Sequence, residues 1–519
     1  MAMFTIDEVL GRDGLLAKTI SGYEFRPAQI AMGKLVNRGF LEHVHVMVEA
    51  GTGTGKSFGY LVPAIMSGQR VVISTATLAL QEQLLSKDIP QVLNALDSPA
   101  RVVQLKGRNN YLCRDKLEQL RGRLVLAQSN EDRKLFRWAD HTRSGDRAEL
   151  DFVPQDALWR EVDADAFDCI MEACDFFGPE RCHQMRSREA ARHADIVVVN
   201  HALFFSDLAM GGGVIPPYDY AILDEAHQIE EWATAAFAST ISRAGIGRLQ
   251  SKLARAYLFD ELLNAALNES ANDFAAALSH GNVTRYPFHE NAKAVALLEP
   301  LQRALYRVEN WVADKWAKAS RYPQASEEAL KRRRDLIIRM LVGFTQTIER
   351  LRLGGEEWIC WGEREDERRG AYAAHCAPTS VSAILREQLY DRTRSVVMTS
   401  ATISTAGDFA YLRRQVGLEN ATLDELVLDS PFDFEKQAML YLPPQRLNPK
   451  RPTFIADVIP VIESILHATR GRAFVLFTSI ASMNAVAAVL APRLPFPSKV
   501  QGELPKGATL QWFRTQDHP

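Results

Sequence analysis

The stretch Met47–Tyr60, MVEAGTGTGKSFGY, decides how the chain is read. An apolar run ends in small residues alternating with glycine, followed by a lysine, a serine and a second apolar run. Residues Ala50–Ser57 fit the P-loop pattern, with alanine at the first position, where glycine is commoner. Gly51, Gly53 and Gly55 let backbone N–H groups turn inward between Thr52 and Thr54 without side-chain obstruction. The helix that follows aims its positive N-terminal end at the same point. Lys56 has the reach for β- and γ-phosphates, and Ser57 carries the hydroxyl that ligates Mg²⁺ in such loops. Strand, loop and helix in this order predict an α/β unit built to hold ATP.

Outward from this stretch, apolar runs recur, each followed by a helical pattern: VHVMVEA, RVVISTAT, DIVVVNH, YAILDEAH, SVVMTSAT and AFVLFTS. That alternation predicts a parallel sheet covered on both faces. Two segments interrupt it. One, around Arg108–Arg192, holds four of the six cysteines; the other, about Glu230–Arg352, has helical periodicity and the basic run Lys331–Asp335 (KRRRD). Both read as insertions. The expected layout is a first α/β domain in three parts (1–107, 193–229 and 353–430), interrupted by insertions at 108–192 and 230–352. A second, incomplete α/β unit follows at 431–519.

The totals exclude several classes. With 47% apolar residues the chain buries large cores, and a net charge of −3 leaves nucleic-acid binding to local clusters. The N-terminus MAMFTIDEVLGRDG lacks the basic flank and apolar core of a signal peptide. No segment approaches the ~20 apolar residues that span a bilayer. The reading is a cytoplasmic protein with no membrane partner. Six cysteines are too sparse for a disulfide scaffold, and clustered thiols in a reducing compartment point to metal or redox chemistry.

AILDEAHQ supplies what the P-loop lacks. An apolar strand ends in Asp224 and Glu225. Asp224 is expected to hold Mg²⁺ and Glu225 to orient and deprotonate the attacking water. Both strands share one rhythm, so their carboxyl ends emerge at the same sheet edge. An NTPase follows.

Other stretches fit in order. YEFRPAQIAM (Tyr23–Met32) resembles the adenine-reading Q motif, with Arg26 and Gln29 at its core. STATLALQEQLL (Ser74–Leu85) is similar to a segment touching the nucleic-acid backbone. VMTSATIS carries Ser400, Ala401 and Thr402, like the motif that couples hydrolysis to strand movement. GRAFVLFTSIASM (Gly471–Met483) looks like the opening strand of a second motor domain. With MVEAGTGTGKS, VVVNHALF and LDEAH, the chain resembles the DinG/XPD-type iron–sulfur helicases of superfamily 2, bacterial YoaA-like members above all.

Cys113, Cys169, Cys174 and Cys182 lie between the P-loop and the DEAH box, the last three as C-x4-C-x7-C. By themselves they leave structural zinc and an iron–sulfur cluster open. The resemblance implies a 4Fe–4S cluster on these four, besides ATP and Mg²⁺ as cofactors, and it carries His227 of the DEAH box as a further catalytic residue. It also implies RecA-like motor domains, a cluster domain and a helical arch. Movement would be 5′→3′ along single-stranded DNA, on forks or R-loops, by a monomer working with replication or repair proteins.

Arg101–Arg123 carries seven basic residues against two acids, and Arg181–His193 four arginines against one glutamate. Between them Asp163–Glu180 has six acids and no base. The basic stretches suit a phosphate channel, with Tyr111 as a base-stacking ring; a solvated charged face is the plain alternative. Cys360 and Cys376 read as packed free thiols. Beyond QGELPKGATLQWFRTQDHP the family continues with two further motor motifs, and Arg514 is no substitute for their arginine finger. Poor hydrolysis is therefore expected of these 519 residues, and the rival reading is a non-motor ATP- and nucleic-acid-binding protein.

Overall fold

The computed structural model describes residues 4–123, 129–165, 169, 174–256, 258, 260–281, 283–316, 327–366, 371–444, 447–504 and 506–516. It divides into two compact units, residues 1–108 with 165–432 and residues 109–164 with 433–519.

In the first unit the expected runs become strands: β1 (His45–Ala50), β2 (Val71–Thr75), β3 (Val102–Gln104), β4 (Ile196–Asn200) and β5 (Tyr220–Asp224). Four more follow, β6 (Ser239–Ser242), β7 (Arg285–Pro287), β8 (Trp358–Asp366) and β9 (Ala371–Pro378), then β10 (Ser395–Ser400) and β11 (Leu423–Leu428). Seven of them form one sheet in the order β11-β1-β10-β5-β2-β4-β3. Every pairing in it is parallel. The α/β fold class holds.

Its inner strands are buried on both faces, and the pleat sorts their side chains into two cores. Val46, Val48, Ile73, Val198, Ile222 and Val397 lie in one; Met47, Val72, Val197, Ala221, Leu223 and Met398 lie in the other. The helices Pro27–Glu42 and Lys56–Met66 cover the first face, and His201–Ala209 and Ile229–Phe237 the second. Edge strand β11, absent from the sequence expectation, pairs with β1 over six residues. Its residues are partly buried or exposed, and two of the six are acidic, because it sits at the sheet margin.

A second, antiparallel sheet runs β6-β9-β8-β7. The helices Arg243–Arg255, Glu261–Leu278, Leu298–Trp316 and Glu327–Leu353 share a third core with it, around Ile241, Phe274, Leu305, Leu341 and Ala374. Strands from both sides of residue 352 thus belong to one sheet.

In the second unit, residues 109–164 pack the helices Arg114–Arg123, Asn130–His141 and Asp156–Val162 around Leu117, Leu120, Leu135 and Trp159. Residues 433–519 carry the helices Phe454–Ala468, Ile480–Leu490 and Lys506–Thr515. The strand expected at AFVLFTS is not formed: residues 472–478 have no strand partner. Phe474 and Leu476 stand 64% and 90% exposed. Among the described residues, no helix is long and apolar enough to cross a membrane.

Candidate active site

Strand order decides the site. β1 leads into the P-loop, β5 ends in Asp224, and β10, which ends in Ser400, lies between them. Three adjacent parallel strands therefore deliver glycine loop, acidic pair and Ser-Ala-Thr segment to one carboxyl edge, where ligands of open α/β sheets bind.

The loop is held in shape. Gly55, with φ 76°, precedes the helix Lys56–Met66 as its N-cap. A Cβ there would collide with the Gln29 amide and crowd Arg26, so only glycine lets the two Q-motif side chains lie on the loop. Gln29 is buried and donates to the Gly55 carbonyl at 3.3 Å, while Arg26 pairs with Glu24. Thr54 is buried and its Oγ1 donates to the Gly51 carbonyl at 2.9 Å. The Gly51 N–H donates to Leu428 of β11, and Ser430 Oγ donates to the Thr52 carbonyl at 2.8 Å. The Phe432 ring lies against Gly53, whose lack of a side chain makes room for it.

Opposite the loop, Lys56 Nζ stands 3.3 Å from Glu225 Oε1. Glu225 has φ 58°, a left-handed conformation costly for any residue but glycine and typical of residues held for function. Its second oxygen accepts from Ser400 Oγ at 3.0 Å. Ser400 Oγ, whose hydroxyl donates to that carboxylate, lies 2.7 Å from His227 Nδ1 in a second hydrogen bond. Lys56, Glu225, Ser400 and His227 form one polar chain across the three strands.

Asp224 is buried beside this chain and receives the Tyr60 hydroxyl at 3.3 Å. Burial pushes its carboxyl up to about 6, against the pull of Lys56. A carboxylate so desolvated is poised for a cation. The Ser57 side chain hydrogen-bonds with Asp88 and with Tyr60, the same tyrosine that reaches Asp224.

Two residues that sequence reasoning missed complete the frame. Glu49, next to last in β1, accepts the backbone N–H groups of Ile403 and Ser404 at 2.7 and 2.6 Å. Burial raises its carboxyl, and the bonds from Ser404 and Ile403 outweigh that and hold it below the usual range. It latches the segment after Ser400 to the P-loop strand. His201 is wholly buried, with Nδ1 2.7 Å from Ser74 Oγ and Nε2 2.8 Å from the Asp224 carbonyl. The carbonyl can only accept, so Nε2 carries the proton and Nδ1 accepts from Ser74. Burial lowers its pKa to about 4. A charged residue just before a glycine loop, and a histidine closing an apolar strand, were the available signals.

The order of these parts can be compared with other proteins. No family model matches the chain. The ATP-dependent DNA helicase YoaA of Escherichia coli is 31% identical to it, over 96% of this chain and 79% of that protein. The chain belongs to the YoaA/DinG family of ATP-dependent DNA helicases. The ATP-dependent helicase DinG of Mycobacterium tuberculosis is likewise 31% identical, over 92% of this chain and 75% of its own length. A solved XPD helicase aligns with 90% of this chain and 74% of its own at 14% identity and a TM-score of 0.44.

None of the four cysteines expected to mark the iron–sulfur members of this family is in a disulfide. Cys113 precedes the helix Arg114–Arg123; burial raises its pKa to about 11 against the backbone N–H groups of Lys116 and Asp115. Cys182 N-caps the helix His183–Arg192, and the Cys174 carbonyl closes a turn with Phe177 N–H. Among the described residues no group of three or more His, Cys, Asp or Glu side chains is arranged to hold a metal. The donor chemistry fits a cluster; a gathered ligand set is not displayed.

Tyr111 does not offer a stacking face. It is 5% exposed, its apolar ring drawn into the interior of the second unit, and that expectation is corrected. The basic run around it is engaged by acids of its own segment. Lys116 pairs with Asp163 at 3.1 Å, Arg121 with Asp140 at 2.6 Å and Arg123 with Glu161 at 2.9 Å. The Lys116–Asp163 pair is largely buried; the two more exposed arginine pairs are each worth roughly 0–1 kcal/mol. In the run Lys331–Asp335, Arg334 pairs with Asp335.

Proposed function

We propose that this chain hydrolyses ATP at the β1–β10–β5 edge and uses the cycle to move 5′→3′ along single-stranded DNA, opening forks or R-loops in repair or replication. The observation that carries the reading is the chain Lys56–Glu225–Ser400–His227, which joins the phosphate loop, the acidic pair and the Ser-Ala-Thr segment.

In this reading the P-loop residues Gly51, Thr52, Gly53, Thr54 and Gly55 cradle the phosphates with their backbone, and Arg26 and Gln29 flank the adenine. Lys56 leaves Glu225 for the γ-phosphate, drawn by the larger negative charge. Ser57 and Asp224 hold Mg²⁺, which screens phosphate charge when bound. Glu225, freed from the lysine, positions a water and accepts its proton. Ser400 senses that change through its hydrogen bond to the carboxylate, and His227 through its bond to Ser400. Cys113, Cys169, Cys174 and Cys182 are proposed as ligands of a 4Fe–4S cluster, on their number and order. The cluster would supply a rigid cross-link among distant chain segments.

The test is ATP turnover with and without single-stranded DNA. DNA-stimulated hydrolysis, lost by roughly 10²–10⁴-fold in Glu225→Gln while nucleotide binding persists, is the expected result. Unchanged turnover in that variant removes the reading. For the cluster, iron and sulfide content are measured in anaerobic preparations, and Cys174→Ser is expected to lose both. Stoichiometric zinc without iron refutes it.

A non-motor role, with ATP as a conformational ligand, is favoured by one observation. Among the described residues 433–519 no strand forms, so that segment presents no second nucleotide-facing sheet. ATP binding without DNA-stimulated turnover would select it.

A further inference from the structure

Far from the nucleotide edge, two cysteines that the ATPase chemistry does not use face each other in the antiparallel sheet. Cys360 of β8 and Cys376 of β9 are directly opposite in register. Opposed residues of an antiparallel pair have Cα atoms about 4.5–5.5 Å apart, inside the roughly 4.4–6.8 Å range that a disulfide bridges. Their side chains share one face of the sheet, and the sulfurs stand 2.7 Å apart. Bond formation then requires the sulfurs to close by only about 0.7 Å, to a bond of about 2.05 Å.

The two thiols are unequal. Cys376 is fully buried, and Cys360 is partly exposed. Cys360 shares a hydrogen bond with Cys376, in which either sulfur can donate, and lies near the Arg350 guanidinium; these lower its pKa against burial. The same bond, together with burial, raises the pKa of Cys376. Arg350 is fixed by a bond to Ser239 Oγ at 3.2 Å and by the Trp358 ring 3.8 Å beneath it. The next cross-strand pair, Trp361 and His375, stacks at 5.1 Å and holds the register. The arrangement contains an accessible, cation-assisted thiol and, behind it, a second thiol already in line.

We propose that Cys360 and Cys376 form a reversible oxidation site for peroxides, closing to a cross-strand disulfide between β8 and β9. The Cys360 thiolate attacks one peroxide oxygen, which takes two electrons from sulfur; the O–O bond breaks and the other oxygen leaves as water after protonation. Cys360 is then a sulfenic acid. The Cys376 sulfur attacks it, the S–S bond forms, the S–OH bond breaks, and a second water leaves with the Cys376 proton. In sum two thiols and hydrogen peroxide give one disulfide and two waters. A dithiol reductant reverses it by exchange, so the site is a reporter of oxidant rather than a permanent staple, as disulfides of reducing compartments usually are.

The experiment uses the full chain and needs no variant to begin. The protein is treated with hydrogen peroxide, its remaining thiols are alkylated, and its peptides are mapped by mass. The expected result is a linked peptide pair containing Cys360 and Cys376, absent before treatment and opened by dithiothreitol under native conditions. In Cys376→Ser, Cys360 is expected to accumulate as a sulfenic acid trapped by dimedone; in Cys360→Ser, Cys376 is expected to stay unmodified. Equal alkylation of both cysteines before and after peroxide overturns the proposal. So does a linkage that dithiothreitol fails to open in the folded protein, which would make it structural.

Discussion

Strand β10 and the segment at 473–479 make an instructive pair. SVVMTS and AFVLFTS are similar as strings, each a short apolar run closing on threonine or serine. In the first, all six residues are buried between β1 and β5. In the second no strand forms, and Leu476 is almost wholly exposed. A parallel strand gains its hydrogen bonds from both neighbours and its burial from two layers of helices. The string proposes a strand, and the neighbours decide.

The comparison can be broken most sharply by one charge in each run. Val397→Asp places a carboxylate in a fully buried position and is expected to cost more than ~4 kcal/mol, or to prevent folding. Chemical denaturation of the first unit reads it, and a cost below about 1 kcal/mol would deny that β10 is central.

A subtler effect separates the two groups on either side of the Asp224 peptide. His201 has its pKa lowered from 6.5 to about 4, so its contribution is present above 6.5 and is lost as pH falls toward 4. Asp224 has its pKa raised from 3.8 to about 6, so burying it costs stability increasingly as pH rises through that window. The two slopes oppose one another, each reaching ~3 kcal/mol at most. Without Mg²⁺, His201→Gln is therefore expected to be more stable at pH 4.5 than at pH 6.5, relative to wild type. Asp224→Asn is expected to show the reverse. Urea midpoints at both pH values check this, and parallel curves for all three proteins would refute it.

Glu49→Gln removes the charge from two backbone hydrogen bonds and is expected to cost on the order of 1–2 kcal/mol. Amide exchange at Ile403 and Ser404 should quicken while the centre of β10 stays protected; no change at either amide would mean the latch is idle. The smallest effect belongs to the exposed run. Leu476→Asp should change stability by no more than about 0.5 kcal/mol, since it alters only solvated surface. A cost as large as that of Val397→Asp would show the two runs to be equally buried.

Much of the motor was legible in the residues because its parts are local. Gly51–Ser57 and Asp224–Glu225 each need only a strand, a turn and the right side chains in order. Glu49 and His201 escaped because their partners, Ile403, Ser404 and the Asp224 carbonyl, lie tens to hundreds of residues away or in the backbone. The second sheet was hidden for a related reason. β6 and β7 are three or four residues long within a helical stretch, and only pairing with β8 and β9 makes them strands.

By itself the amino-acid order determined a nucleotide loop, an acidic pair on a strand of the same rhythm, and the α/β class. Tertiary structure decided that β10 lies between β1 and β5, that Glu225 adopts a left-handed backbone to meet Lys56 and Ser400, and that Tyr111 is buried rather than offered to a base. The reason is physical: turn chemistry and periodicity act over a few residues, whereas strand order, burial and the partners of a buried charge are set by segments that meet only when the chain is folded.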